Sequence, residues 1–487
     1  MIENVVVVVA DALRRDHVGI YSDTFNDLTP NIDNLASSGI SFSNAYTTIN
    51  TTDPAITSLN TGKYPHSHGI INHADQVTRK EKSRIESQKQ LQEILKEQGY
   101  YTIKAGRPLG RWHKNGYDSS PNISTSNSLI TPLENLWKFT IQPKISSLLR
   151  NNTKVATKLS QVYNDIFAED SSVDVFLEKI DDSPFFGFIH LMDTHTPYEP
   201  RSEYIQENLK KLDEDNDMPL EDLVDRFGKG SWIQEMCQQW SVRFSSDSTC
   251  QNEIGTNEVR ARYMGGVQET DDKVGRLVDG LKEQGVLDKT LLIFLSDHGE
   301  SLGEHGIFYD HHGLYEPTIR IPLVFFKPDL ESRNINDLVQ IIDIYPTILE
   351  ALGVDDTESH DGISLWKTIQ GNSENGNIRE FIFAEEAHTQ RNKMIRSGKY
   401  KHIWATGDSL YCRYCGVQHA SAKELYDLTD DPQERNDIYE NSKDIAAELR
   451  ELERDIQSSL NEDTGDNEVT YEDEEEIMER LEKLGYR

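Results

Sequence analysis

Two stretches of the chain carry no polar position at all: Val5-Val6-Val7-Val8-Val9-Ala10 near the start and Leu291-Leu292-Ile293-Phe294-Leu295 well beyond the middle. An unbroken β-branched or aliphatic run is the pattern of a strand covered on both faces, the situation of central strands in a parallel sheet. Each run ends abruptly in an acid. Asp11 follows the first, and Ser296-Asp297-His298-Gly299-Glu300 follows the second. In open α/β sheets ligands gather at the carboxyl ends of strands, and a carboxylate beside a neutral imidazole is an ordinary ligand pair for a divalent cation. If the two strands are neighbours, Asp11, Asp297 and His298 form a metal site.

The rest of the pattern predicts a βαβ rhythm over the first 110 or so residues. A helix is expected over Asn31 to Ser38, a loop at Thr51 to Pro54 and a helix from about Pro54 to Thr61. The amphipathic run Ser83 to Glu97 then leads into a strand around Gly99 to Ile103. Residues 115–180 read as a polar, helical insertion over the site, and residues 199–260 as a second one, with Trp232 and Trp240 available for packing. Between them Phe185 to Leu191 reads as a strand with Asp193-Thr194-His195 at its tip. A long helix is expected from Arg262 to Gln284, a strand at Leu323 to Phe326 and a helix at Ile344 to Leu352. Past residue 370 the pattern changes to short strands (Phe381 to Ala384, Lys393 to Ile395, Tyr400 to Trp404) and a charged helix, Lys443 to Leu460. An acidic stretch, Asn461 to Glu475, and a last helix, Ile477 to Leu484, follow. The expected organisation is an α/β catalytic domain over residues 1–370 and an α+β subdomain with an acidic tail over 371–487, without internal repeats.

Charge narrows the class of partner. The chain has 84 acidic against 50 basic residues, a net charge of −34 in 487 residues. That excess is expected to form a solvated acidic surface of the halophilic kind, since self-repulsion weakens the fold at low salt. Nucleic acid is excluded as an expected partner because phosphate backbones need the opposite sign. An anionic substrate would have to be drawn in by a metal and by local cations.

No apolar window approaches the length of a membrane span, and the N-terminal sequence lacks the features of a signal peptide. No membrane association and a cytoplasmic location are therefore expected. Three glycosylation-type triplets start at Asn50, Asn122 and Asn151 and carry little weight without secretion. Four cysteines are too few for a disulfide scaffold. Cys412 and Cys415 form one Cys-X-X-Cys pair with Cys237 and Cys250 far upstream, so thiols or a local disulfide are expected there rather than a structural zinc.

A resemblance sharpens this picture. Asp11-Ala12-Leu13-Arg14-Arg15-Asp16, Thr29-Pro30-Asn31-Ile32-Asp33-Asn34-Leu35-Ala36, Thr61-Gly62-Lys63-Tyr64-Pro65-His66 and Ser296-Asp297-His298-Gly299-Glu300 resemble, in order and spacing, the sulfatase branch of the alkaline phosphatase superfamily. The resemblance continues through Leu314-Tyr315-Glu316 and Arg320-Ile321-Pro322 to Glu424-Leu425-Tyr426-Asp427-Leu428, so it covers nearly the whole chain. It implies an alkaline-phosphatase-like sandwich, with a large, mostly parallel central sheet flanked by helices and a small C-terminal subdomain with an antiparallel sheet. It also implies a metal-dependent ester hydrolase.

The family places its nucleophile two residues before a Pro, about nine before Thr-Gly, which here is Thr52. Sulfatases need Cys or Ser at that place for conversion to formylglycine, and Thr cannot give that aldehyde because its β-carbon carries a methyl group. The family Arg two residues after the Pro is replaced by Ile56. Both departures resemble the branches that use an unmodified Thr: phosphodiesterases, phosphomutases and phosphoglycerol transferases. A Thr hydroxyl is a weak nucleophile, which a divalent cation and the positive end of a helix would activate. Without the metal motifs Thr52 would read as a helix N-cap.

The metal ligands implied are Asp11, Thr52, Asp297 and His298. Ala12 stands where many sulfatases have a second early Asp, and His298 where they have Asn. This moves the expected cation from calcium towards manganese or zinc. One cation is expected; a second, through Asp193, His195 and His312, is left open. Gly110-Arg111-Trp112-His113 resembles the family's Gly-Lys-Trp-His segment, making Arg111 and His113 substrate-binding candidates. His195 matches a substrate-contacting or proton-donating His. His311 or His312 takes the place of a family Lys, and spacing does not choose between them.

The expected activity is hydrolysis of phosphate or phosphonate esters, small or glycan-linked, through Thr52. Three alternatives stand beside it: a sulfuric ester hydrolase of the arylsulfatase type, a phosphoglycerol-type transferase, and a non-catalytic binding protein on the same fold. The oligomeric state is not legible.

Overall fold

The computed structural model describes residues 2–106, 111–120, 172–180, 184–212, 217–220, 222–223, 255–355, 358–372, 378–386, 390–407, 410–412, 416 and 418–464. Most of the two expected helical insertions, the tail beyond 464, Trp232, Trp240, Cys237, Cys250 and Cys415 lie outside these residues.

Fourteen strands are described. They are β1 (Asn4–Ala10), β2 (Ile40–Tyr46), β3 (Tyr101–Gly106), β4 (Phe185–Leu191), β5 (Thr290–Ser296), β6 (Ser301–Leu302), β7 (Phe308–Asp310), β8 (Arg320–Ile321), β9 (Leu323–Phe326), β10 (Arg333–Gln340), β11 (Phe381–Glu385), β12 (Asn392–Ser397), β13 (Tyr400–Ala405) and β14 (Lys423–Asp427). The large sheet has the order β10-β2-β9-β5-β1-β4-β3, with β8 attached to β2. Its centre and both flanks are parallel (β5-β1, β1-β4, β4-β3, β10-β2), whereas β9 runs antiparallel to β5 and β2. A four-stranded antiparallel sheet, β11-β12-β13-β14, stands beside it. The fold is the α/β architecture the sequence implies, with a mostly parallel central sheet and a small C-terminal antiparallel one.

The apolar runs have the reason expected of them. Val5, Val7, Val9, Leu291, Ile293 and Leu295 enter one core layer, while Val6, Val8, Ala10, Leu292 and Phe294 enter the layer on the opposite face. Helices cover both faces, so alternate residues of one strand serve two cores. The Thr256–Glu283 helix packs on the second layer through Val259, Tyr263, Val267 and Val274. The run expected as one helix over Ser83 to Glu97 is two, Arg79–Glu86 and Leu91–Glu97. Thr78 and Glu81 close a capping box on the first, and Glu93 accepts from the Gln90 amide at 3.0 Å to start the second afresh. Strands β2 and β10 carry Ser, Asn, Asp and Arg along their length and escape a hydrophobic pattern search. Among the described residues no helix is long and apolar enough to cross a membrane.

One buried polar cluster joins the two sheets. Glu316, in the Leu-Tyr-Glu motif, lies 3.3 Å from Lys401 Nζ on β13, which also reaches Glu434 at 2.6 Å. The Tyr46 hydroxyl donates to Glu316 at 2.9 Å. Burial would raise Glu316, but Lys401, Arg396 and Arg320 outweigh it and hold it below the ordinary carboxylate range. The motif residue is thus a structural anchor. Replacing Lys401, which has no solvent exposure, by Met leaves two buried carboxylates short of their cation. The variant is expected to lose about 3–5 kcal/mol of folding free energy, measured as a lowered urea midpoint.

Candidate metal centre and active site

The register of the central strands builds the site. β1 and β5 run in step with Ala10 opposite Ser296, so Asp11 and Asp297 leave the sheet side by side. Both are buried, at 1% and 0% exposure. One ligand atom each from Asp11, Asp297 and His298 lies within 4.8 Å of the other two. Each carboxylate has one oxygen engaged and one left over. Asp297 Oδ1 accepts the amides of His298 (2.9 Å) and Ala12 (3.2 Å), and Asp11 Oδ2 accepts the Thr52 hydroxyl at 3.4 Å. Asp11 Oδ1 and Asp297 Oδ2 are buried and make no hydrogen bond. Two such oxygens converging in the interior are a strong indication of a bound cation. His298 Nδ1 lies 2.8 Å from the Gly299 carbonyl, which assigns the proton to Nδ1 and leaves Nε2 facing the carboxylates. The donor set, two carboxylates and one imidazole, fits a divalent metal ion.

The turn after β1 is held hard. Ala12 adopts φ +58°, a left-handed conformation that a non-glycine residue keeps only when its surroundings enforce it. The Tyr263 hydroxyl donates to the Ala12 carbonyl and accepts from the Arg14 amide, both at 2.8 Å, while the Thr194 hydroxyl donates to the Asp11 carbonyl at 2.6 Å. At the other strand end a Cβ on Gly299 would stand 2.0 Å from the Pro317 carbonyl, so no larger residue fits beside His298.

After helix α1 (Pro30–Ser38), Thr52 opens helix α2 (Thr52–Thr61), two residues earlier than expected. Pro54 sits inside the first turn, where its missing N–H has no intrahelical partner to lose. The Thr52 Oγ1 atom lies 3.3 Å from His298 Nε2 as well as 3.4 Å from Asp11 Oδ2. It is the only side chain of the Thr51-Thr52-Asp53 triplet that touches the metal ligands in this way.

The other sequence candidates divide. His195, half-buried after β4, turns its Nδ1 to the Thr196 carbonyl and acts electrostatically on Asp11. His311 stacks obliquely on His298 with ring centroids 4.5 Å apart; burial and His298 hold it well below the ordinary imidazole range, so it is neutral. His312 turns away from His298, with Nε2 3.0 Å from Asp310 and Nδ1 3.4 Å from Cys412 Sγ. The backbone separates the two neighbours that spacing left equal. His113 is buried 3.3 Å from Asp53, one step from Thr52. Arg111 begins the short turn Arg111–Lys114, and its side chain lies outside the described residues. Asp193 pairs with Lys273 at 2.6 Å, and among the described residues Asp193, His195 and His312 are not one of the sets whose ligand atoms converge. Asn50 is buried and donates to the His311 carbonyl at 2.6 Å, which argues against its use as a glycan acceptor. Asn122 and Asn151 lie outside the described residues.

Residues 3–354 match the family model described as Sulfatase, and residues 303–462 match that of the C-terminal part of N-sulphoglucosamine sulphohydrolase. The chain belongs to the sulfatase family. An arylsulfatase of Clostridium perfringens is 24% identical over 468 residues, spanning 89% of this chain and 90% of its own. Among solved structures, the phosphonate monoester hydrolase of Silicibacter pomeroyi superposes with a TM-score of 0.67 at 19% identity, covering 96% of both chains. A protein determined in complex with its substrate D-glucosamine-2-N,6-O-disulfate gives 0.65 at 18% identity, covering 96% of this chain and 99% of that one. The sulfatase-family chain is an ester-bond hydrolase, and metal dependence is typical of the family.

Sequence reasoning missed three members of the sulfatase-family site. His190, fully buried on β4, stands 3.2 Å from Asp11 Oδ2. Burial would push Asp11 up, yet His195, His190 and His298 together hold it far below the carboxylate range. Burial, and then the charge on Asp11, push Asp297 the other way. Asp53 lies between His113 and His73, the latter at 2.9 Å, which outweigh its burial and keep it ionised. One signal was available: a His one residue from the end of the apolar run Phe185 to Leu191 is costly unless it meets a charge. His190→Ala is expected to weaken binding at the metal centre by about 10–100-fold, read by competition with a metallochromic chelator.

Proposed function

We propose that this sulfatase-family chain hydrolyses phosphate or phosphonate esters, diesters among them, with Thr52 as nucleophile. The observation that carries the reading is the buried Thr52 hydroxyl at the start of α2, within 3.4 Å of both Asp11 and His298, at the place where a sulfatase needs Cys or Ser. Phosphonate monoester hydrolases share the fold, and so do sulfatases; the Thr at position 52 is what favours phosphorus esters in this reading.

Asp11, Asp297 and His298 would hold one divalent cation, manganese or zinc before calcium, which supplies positive charge that favours the ionised hydroxyl and the negative phosphoryl oxygens. Thr52 Oγ1 gives up its proton to solvent and forms the bond to phosphorus as the ester P–O bond breaks. His195 gives the departing oxygen its proton. It then takes one from the water that cleaves the phosphothreonine, and the released Thr52 oxygen regains its proton from solvent. His113 and Arg111 are assigned to the substrate's equatorial oxygens, and the neutral His311 to the leaving oxygen as a hydrogen-bond partner.

His195→Ala is expected to lower kcat/KM by about 10²–10⁴-fold for esters with alkyl leaving groups and by much less for nitrophenyl esters, whose oxygen leaves without a proton. A panel of nitrophenyl phosphate, phosphodiester, phosphonate and sulfate, each with manganese, zinc and calcium, tests the substrate class. Phosphorus esters should be turned over faster; aryl sulfate well ahead of all of them would reject the proposal. The substrate is read as a small or glycan-linked ester, and the acidic surface as that of a protein working in a salt-rich cytoplasm. A melting temperature that rises as KCl is raised from about 0.1 M to about 2 M is the expected sign of that surface, because screening relieves self-repulsion.

A further inference from the structure

We propose a second metal site, separate from the centre at the strand ends, in which His312, Cys412 and His419 bind one zinc ion. One ligand atom of each lies within 4.8 Å of the other two. Cys412 Sγ is 3.4 Å from His312 Nδ1, and the rings of His312 and His419 have centroids 5.9 Å apart. The first distance has a specific meaning. With Zn–S about 2.3 Å and Zn–N about 2.0 Å, a tetrahedral centre puts its sulfur and nitrogen ligands about 3.5 Å apart. Cys412 and His312 are therefore already spaced as the two ends of one coordination edge, and both are 2% exposed.

The surroundings support the same assignment. His312 Nε2 lies 3.0 Å from Asp310 Oδ2. A carboxylate on the far nitrogen fixes the tautomer, directs the lone pair of Nδ1 towards the thiol and raises its basicity, the usual support for a ligating imidazole. Asp310 ends β7, and its Oδ1 accepts the His311 amide at 2.7 Å, so one residue orients both neighbours. One sulfur and two nitrogens make a soft set that takes zinc and leaves magnesium, calcium and manganese aside, unlike the two carboxylates of the first centre. Zinc binding displaces the Cys412 proton to solvent, so the site tightens as pH rises.

The position gives the zinc a role. It ties the segment carrying His311, which lies over His298, to a loop after β13, a hundred residues further along the chain. The segment is also held by Asn50, whose amide donates to the carbonyls of His311 and Gly313 at 2.6 and 3.1 Å. His312 and Cys412 are thus positioning residues for the wall of the active site. Cys415 lies outside the described residues and has no part in the assignment.

The full chain, purified without chelator from zinc-supplemented cultures, tests this by metal analysis and X-ray absorption. The expected result is a zinc with a sulfur neighbour at about 2.3 Å in the wild type, kept as one zinc per chain in Asp297→Asn, and loss of that sulfur-bound zinc in Cys412→Ser. Replacement of that zinc by cobalt(II) in the wild type should give a thiolate-to-cobalt charge-transfer band, which does not depend on the variant folding. Zinc without a sulfur neighbour, a sulfur neighbour that survives Cys412→Ser, no zinc in the wild type, or Cys412 found in a disulfide in the non-reduced protein would each overturn the proposal.

Discussion

Thr52→Ala is expected to lower turnover of the preferred phosphorus ester by at least about 10⁴-fold while leaving the metal in place. Removing a nucleophile takes away the covalent route and leaves only binding and charge stabilisation, and losses of that order or larger follow in enzymes of this logic. The side chain is buried and small, and the α2 backbone around it is fixed by Ala55 N donating to the Thr51 carbonyl at 3.1 Å, so the fold should survive the change. Thr52→Ser restores the hydroxyl and should restore most of the activity, which a merely structural N-cap role would not require of an ester substrate. Steady-state kinetics on the three proteins, with metal content measured alongside, make the comparison. Full activity in Thr52→Ala would dismiss the nucleophile and with it the phosphorus-ester mechanism.

Asp297→Asn should empty the first centre of manganese, with a loss of affinity beyond the roughly 10–100-fold that an outer partner such as His190 contributes. It should also remove the thermal stabilisation that manganese gives the wild type. A cation at about a thousand times its Kd adds about 4 kcal/mol to the folded state, and that linkage disappears with the ligand. Manganese is the right probe, since the thiolate cluster at Cys412 has little use for it. The metal-free proteins should differ in the opposite sense. Burial and the charge on Asp11 raise Asp297, so its carboxyl supports the fold while protonated, and that support is lost as pH rises through its folded pKa. Asn has no charge to bury. Chelated Asp297→Asn should therefore melt above chelated wild type at neutral pH, although with manganese it melts below. Differential scanning fluorimetry with and without the metal reads both signs; an unchanged manganese shift in the variant would place the cation elsewhere.

Much of the site was legible because its chemistry coincides with a change of local pattern. A run such as Val5 to Ala10 has to be covered on both sides, and the first polar residue after it has to sit at a sheet edge; Asp11 and Asp297 are visible for that reason. His190 was hidden by the same logic, since a lone imidazole within an apolar strand reads as a tolerated exception until its partner is known. The edge strand β10, whose first half is only partly buried, offers little hydrophobic period to detect. The zinc cluster was out of reach for a different reason. In sequence Cys412 stands in a single Cys-X-X-Cys pair, whereas an imidazole 3.4 Å from its sulfur belongs to His312, on the other side of β11 to β13.

Local pattern along the chain marks the central strands, most of the helices, the acids at the strand ends and the hydroxyl at position 52, because these follow from local period, side-chain shape and the cost of burying polar groups. Register and packing bring Ala10 opposite Ser296, His190 to Asp11, His311 to the metal ligands while His312 faces Cys412, and Glu316 into an anchor between sheets. Such contacts join residues up to 286 positions apart, and they depend on register and packing, which no local stretch of chain contains.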